Sequence, residues 1–253
     1  MPTAIGDFKS LPFWTGSEQE LLHHLEKNRG QIFFIVTLTA EMILCGMKNK
    51  SVAQAIFSAD IVVVDSISVM WWLTFLCGKP VHRITGVHLS KKLLELARIH
   101  HYRVAVLGGK TDVICQRAAN HILKNGIDVT YAAHGPTFLN FAWTESETYF
   151  LNETALSKPN IVFAGFGHGK QEMWLRELKN RLIDPAILVG VGGTIDLWGG
   201  AQKRAPVILQ QFGFEWLWRL ILQPTRFIRI LQATVVFPYR AITDFLVYSH
   251  NEK

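Results

Sequence analysis

The chain's 253 residues carry a formal charge of +6 and suffice for one large core, or for a main domain of roughly 200 residues with a C-terminal appendage. Three widely spaced cysteines, Cys45, Cys77 and Cys115, with no CxxC pair, argue against a disulfide framework and for a reduced, cytosolic setting. The N-terminal residues lack a basic start followed by an apolar run, and no apolar stretch reaches the roughly 18 residues needed to cross a bilayer, so the expected protein is neither secreted nor transmembrane.

In chain order, Ser17 followed by Glu20 reads as a capping box that opens a helix over residues 18–27. Short apolar, β-rich runs then alternate with helical patterns. Strands are predicted over 31–38, 61–64, 103–107, 129–133, 160–164 and 186–189, and helices over 40–48, 67–77, 89–100, 112–124, 145–156 and 170–181. Strand and helix in alternation imply an α/β fold, a doubly wound and mainly parallel sheet of Rossmann-like type covered on both faces. Continuous runs such as IVVVD and NIVFAG read as strands buried on both sides. After Arg204 the alternation stops. Ala205 and Pro206 suit a helix start, residues 214–222 suit a second helix ended near Pro224, and a third runs from Thr225 towards Tyr248 with a kink at Pro238. The expected division is an α/β core over 1–204 and a helical, basic and aromatic appendage over 205–253, with no internal repeat or flexible linker.

In a doubly wound sheet, ligands bind beyond the carboxyl ends of the strands. Those ends are unusually polar: Thr37 and Thr39, then Asp65, then Gly108 and Gly109, then Gly135, then Gly167 with Lys170 and Gln171, and finally Gly192 and Gly193 ahead of Asp196. Glycine turns and helix N-termini on one edge let backbone N–H groups approach an anion closely, and a nucleotide diphosphate is the natural candidate. The GFGHG segment lacks the third spacing of the dinucleotide fingerprint, and no acid ends a strand at the required offset, so a nicotinamide or flavin cofactor is not expected. Asp65 closes an apolar strand, where an acid either caps the next helix or serves as a general base. Arg83 is either a surface turn residue or a phosphate clamp. Lys170 and Gln171 open a helix beside glycine, where a cation opposes the helix dipole unless it has an anion to hold. His82, His134 and His168 do not form a metal set, and DxD, HExxH and GxSxG are all absent. With no metal expected, charge on a leaving diphosphate would fall to arginine, lysine and helix N-termini.

The tail has its own pattern. Six of the seven charged residues between Lys203 and Arg240 are basic. Glu215, Arg219, Gln223, Arg226 and Arg229 fall on one helical face, with Trp216 and other apolar residues between them. Such a helix either packs on the core or lies on anionic lipid. The interleaved tryptophan favours lipid over nucleic acid, and a mean hydropathy of +0.18 fits a peripheral position on a membrane face.

With these residues assembled, the chain resembles the WecG/TagA/CpsF glycosyltransferases, glycosyltransferase family 26. The resemblance runs from about Gln31 to Arg229 on ordered motifs: VTLTAE, VVVDSISV, RITG, LGG, GFGHGKQE, GVGGTIDLWGGAQKRAP and GFEWLWRLILQPTRFIR. It implies an inverting, metal-independent, cofactor-free enzyme at the cytoplasmic face of the bacterial inner membrane. Such an enzyme moves a sugar from a UDP-sugar to a polyprenyl-diphosphate-linked saccharide in cell-surface polysaccharide biosynthesis. By that similarity Asp65 is the general base, and Thr37, Arg83 and Gln171 surround the reacting sugar and diphosphate. Thr39, Lys170 and Arg204 border the substrate with the glycine turns and Asp196. Trp216, Arg219, Arg226 and Arg229 belong to a tail that touches the membrane or the acceptor diphosphate and is linked to a change between homo-oligomer and active monomer. Thr39 stands where the family has Asn, Ser66 where it has Gly, and Gly169 where it has Pro. The donor therefore stays open between an N-acetylmannosamine-type sugar and a plain hexose such as glucose. A non-catalytic nucleotide-sugar-binding scaffold and a sugar-nucleotide oxidoreductase are the alternative readings.

Overall fold

The computed structural model describes residues 5–136, 145–202, 206, 218, 220 and 227–251. Its centre is a six-stranded sheet in the order β2-β1-β6-β5-β3-β4, in which every strand pairing is parallel. The strands are β1 (Phe33–Leu38), β2 (Ile61–Val64), β3 (Val104–Gly108), β4 (Val129–Ala133), β5 (Ile161–Gly165) and β6 (Ile187–Gly190). Every residue of β1, β2, β3 and β6 is buried, which explains why these segments read as unbroken apolar runs. β4, at the sheet edge, is only half-buried.

Alternate side chains of each strand serve opposite layers. Phe34, Val36 and Leu38 join the first core cluster, whereas Phe33 and Ile35 join the second. The first layer contains α2 (Ala40–Lys48), α3 (Lys50–Phe57), α4 (Ile67–Cys77), α7 (Glu145–Leu156) and α8 (Lys170–Lys179). The second contains α1 (Glu18–Lys27), α5 (Gly86–Ile99), α6 (Asp112–Lys124) and α9 (Thr194–Trp198). The adjacent strands β1 and β6 thus send the helices that follow them, α2 and α9, to opposite faces. A crevice opens at such a switch point.

Most predicted elements coincide with those observed, and differences at the ends amount to a residue or two, as fraying ends allow. α5 begins three residues earlier than its apolar periodicity suggests, because the Thr85 hydroxyl accepts from His88 N–H and sets the start. Two helices have no counterpart among the predicted elements. α3 is opened by Asn49, whose side chain accepts from both Ser51 and Val52 N–H, and α9 is a single short turn hidden in a glycine-rich stretch. A 3-10 turn at Ile5–Ser10 buries Ile5 and Phe8. Residues 12–14 then pair with β2 through Val62 N–H to Pro12 O and Trp14 N–H to Val62 O, which covers an edge that would otherwise be open.

Of the predicted helices at 205–206 and 214–222 only residues 206, 218 and 220 are described, and Trp218 and Leu220 are helical. Beyond them come α10 (Phe227–Leu231), a π-helical turn (Gln232–Val236) and α11 (Phe237–Asn251). Ahead of Pro238, where the kink is expected, the helix widens for one turn. Pro238 has no N–H to donate one turn back, and Phe237 N–H bonds to Gln232 O in the wider i→i+5 pattern. α11 is docked on the first layer. Phe237 is fully buried with Ala241 beside it, Trp72 of α4 meets the Phe237 ring edge-on at 5.9 Å, and Ile5 N–H donates to Asp244 Oδ2 at 2.8 Å. Among the described residues no helix is long and apolar enough to cross a membrane.

Because Phe237 fills a site shared by α4 and the first layer, Phe237→Ala is expected to cost about 3–5 kcal/mol of stability. Denaturant unfolding of the full chain measures this, and a loss below about 1 kcal/mol would show that α11 is not packed as described.

Candidate active site

The carboxyl ends of β1 and β2 bring Thr37 and Asp65 to one place. β1 and β2 run in register, Leu38 opposite Val64, and Asp65 N–H continues the ladder to Leu38 O at 3.0 Å. Asp65 does not cap the helix that follows it, because the Ser66 hydroxyl accepts from Val69 N–H and does so instead. The Asp65 carboxylate turns towards the start of α5, where Oδ2 accepts from Gly86 N–H at 3.2 Å. A helix N-terminus has N–H groups without intrahelical partners and a positive dipole end, which suits an anionic carboxylate. The turn carrying Gly86 is fixed from the same strand: Ile84 N–H donates to Val64 O, and Arg83 Nε donates to Asp65 O at 2.6 Å. Arg83 therefore orients the backbone that presents the carboxylate.

Gly86 leaves a gap. A β-carbon there would lie 3.5 Å from both Asp65 Oδ2 and Thr37 Oγ1, so the carboxylate and the hydroxyl flank a position with no side chain in it. The Thr37 hydroxyl, itself buried, donates to Gly190 O at 2.8 Å across the β1–β6 boundary. That bond joins Asp65 and its surroundings to the second half of the site.

There Gln171, at the start of α8, is almost wholly buried. Its Oε1 accepts from Gly192 N–H at 3.2 Å and its Nε2 donates to Glu172 Oε1 at 2.8 Å. Glu172 is fully buried and accepts Gly169 N–H on Oε2 at 2.7 Å. Gly190 is required by this close approach, since a β-carbon would come within 2.5 Å of Gln171 Nε2. His168 Nε2 meets Glu41 Oε2 at 2.7 Å, which ties the turn between β5 and α8 to the first turn of α2. Burial pushes the Glu172 carboxyl above its ordinary value, against the opposing pull of its hydrogen bonds and of His168.

Other sequence-predicted residues take supporting positions. Thr39 caps α2, its hydroxyl accepting from Met42 N–H. Gly169 has φ +81°, a backbone that proline cannot adopt. Gly108 ends β3 and Gly109 follows it, with Lys110 N–H donating to Asp196 Oδ1 at 3.0 Å. Asp196 Oδ2 accepts from Gln202 at 3.0 Å, so this carboxylate braces two loops at the edge. Gly135 lies against the Phe166 ring, Gly167 borders open space and Gly193 faces Gln202; Lys170 is the first residue of α8. Arg204, Trp216, Arg219 and Arg226 lie outside the described residues; the backbone of Arg229 belongs to α10 and its side chain lies outside them.

Gly86, Glu172 and the Glu41–His168 pair are contributors that residue-by-residue reading passed over. A signal existed for Glu172, which falls three residues after Gly169, the spacing at which a glutamate reaches back to an N-cap. Burial raises the Cys115 thiol to about 11 and raises that of Cys45, so neither is a ready thiolate nucleophile. Among the described residues no group of three or more His, Cys, Asp or Glu side chains is placed to hold a metal ion.

The chain is similar to proteins of known family. Residues 7–251 match the model of the Glycosyl transferase WecG/TagA/CpsF family. Among similar curated proteins is the N-acetylglucosaminyldiphosphoundecaprenol N-acetyl-beta-D-mannosaminyltransferase of Staphylococcus aureus strain NCTC 8325, 30% identical over 82% of this chain and 78% of that protein. The same enzyme of strain MRSA252 matches at 30% identity over the same shares.

The raised Glu172 carboxyl has a consequence for stability. Its unfolded value is near 4.5, so above that pH the folded chain holds more protons than the unfolded one. Its contribution to stability therefore falls as pH rises from about 4.5 through the folded value, and then levels. Glu172→Gln removes this slope. Unfolding curves between about pH 4.5 and pH 8 should show a variant-minus-wild-type difference that shifts in the variant's favour as pH rises; a constant difference would contradict the raised value.

Proposed function

The chain belongs to the WecG/TagA/CpsF glycosyltransferase family, and on that footing we propose that it transfers a sugar from a UDP-sugar to a polyprenyl-diphosphate-linked saccharide, with inversion and without a metal ion. The acceptor class follows the names of the relatives, which act on N-acetylglucosaminyl-diphosphoundecaprenol. The donor is an N-acetylmannosamine-type sugar, as in those relatives, or a hexose such as glucose. The product feeds a cell-surface polysaccharide, and the enzyme works peripherally at the cytoplasmic face of the inner membrane.

One observation carries this reading: the Asp65 carboxylate and the Thr37 hydroxyl flank the side-chain-free position of Gly86 at the β1–β2 edge. An acceptor hydroxyl placed beside that carboxylate gives its proton to Asp65 as its oxygen attacks the anomeric carbon. The bond from that carbon to the β-phosphate oxygen breaks on the opposite face. The electron pair leaves with UDP and the configuration inverts. Arg83, Lys170 and the N-terminus of α8 meet the charge on the departing diphosphate. Gln171, held from both ends by Gly192 and Glu172, positions the donor.

Asp65→Asn keeps an oxygen for Gly86 N–H and is expected to fold normally while losing about 10²–10⁴-fold in transfer rate. A UDP-release assay with a short-chain polyprenyl-diphosphate sugar, run beside a thermal melt, measures both; a folded, active variant would remove Asp65 as the base. The same assay in excess EDTA should give an unchanged rate, and a loss that magnesium restores would overturn the metal-free mechanism.

A further inference from the structure

Helix α4 leads directly away from Asp65 and contains no charged residue. Its inner side packs Val69 and Leu73 in the core. On its outer side Trp71 and Phe75, four residues apart and so on one face, are 68% and 67% exposed. α11 is apolar on two sides as well. Phe237 and Ala241 face the core, while Tyr239, Ile242, Phe245 and Leu246 are exposed on the outside. The two exposed faces are continuous, because Phe75 and Phe245 meet edge-on with ring centroids 5.2 Å apart.

A helix that is apolar on its outer side as well as its inner one has a second apolar partner. Charge identifies which kind. Lys79 follows the end of α4, Arg240 is exposed on α11, and the sequence from Lys203 to Arg240 holds six basic residues and one acid. The acid on α11, Asp244, is engaged by Ile5 N–H. An apolar face carrying exposed tryptophan and tyrosine, with cations at its rim, matches the headgroup zone of an anionic bilayer.

We propose that the joined outer face of α4 and α11 is the surface that seats this protein in the membrane interface, with Trp71 and Phe75 inserted among the lipids beside the catalytic edge. This rests on the lipid-linked acceptor proposed above. It adds that lipid contact is made next to Asp65 by α4, in addition to the basic tail. α4 begins two residues after Asp65, and the four helical steps from Ile67 to Trp71 rise roughly 6 Å, which is on the scale of the headgroup layer. The diphosphate of a membrane-held acceptor thus reaches the site without leaving that layer.

The test uses the full chain and its Trp71→Ser/Phe75→Ser double variant, with a thermal melt to confirm folding. Flotation with vesicles of phosphatidylglycerol and phosphatidylethanolamine should show at least tenfold weaker binding by the variant. Transfer to a water-soluble short-chain acceptor should stay within about twofold of the parent. Trp71→Phe should bind vesicles as the parent does but lose part of the fluorescence quenching by brominated lipids. Unchanged vesicle binding by the folded double variant would overturn the proposal. So would an oligomer in lipid-free buffer that the double variant dissociates while vesicle binding persists, because a second copy would then be the occupant of this face. Failure of the parent to use the soluble acceptor with any nucleotide sugar would instead sink the transferase reading and leave the vesicle result to stand alone.

Discussion

The constraint from which the molecule follows is the burial of both faces of a parallel sheet. Once helices cover each side, no polar side chain can leave a strand except at its end. Chemistry is thereby confined to one rim of the sheet. Thr37, Asp65, Gly190 and Gly192 all lie where a strand stops. The reversal of winding between β1 and β6 opens that rim at its centre, and the Thr37 to Gly190 bond spans the opening. The hydroxyl is thus held by a strand other than its own, so its place depends on sheet register more than on its own loop.

A second consequence is how little of the site is free to reorganise. Arg83 fixes the carbonyl of Asp65, Gly86 fixes its carboxylate, and Glu172 holds both the Gln171 amide and the Gly169 backbone. Interactions that cost no rearrangement at the moment of reaction are the ones that favour a charged transition state. Glu172 is the expensive member, a carboxyl in full burial. Its cost is tolerable because both oxygens accept hydrogen bonds.

Much of this was legible in the sequence, for identifiable reasons. β2 could be bounded to the residue because an unbroken β-branched run is closed by a charge, and α1 because Ser17 and Glu20 form a reciprocal cap. Asp65 stood out as the acid ending a buried strand. What the sequence hid depends on distance in space. That Gly86 would face Asp65 and Thr37 needs the register of β1 with β2, and no local signal encodes it. The burial of Glu172 was hidden in the same way, since nothing local says that α8 is buried at its start. α3 was lost because Asn49 both ends α2 and caps its successor, so the two helices share one boundary residue. In the tail, Pro238 marked where the helix is irregular, and the form of that irregularity, one widened turn ahead of it, was not spelled out by the proline alone.

That widened turn also sets a phase. An α-helix advances about 100° per residue, so the eight residues from Leu231 to Tyr239 would overshoot two full turns by roughly 80°. The π-helical turn at Gln232–Val236 spends more residues per revolution and absorbs most of that excess. Leu231 and Val235 before Pro238, and Tyr239 and Ile242 after it, are all exposed and are brought towards a single line along the tail. The length of this short segment, more than its composition, therefore fixes the azimuth of α10 relative to α11. Removing one residue from it would rotate the two halves out of alignment without altering a single apolar side chain.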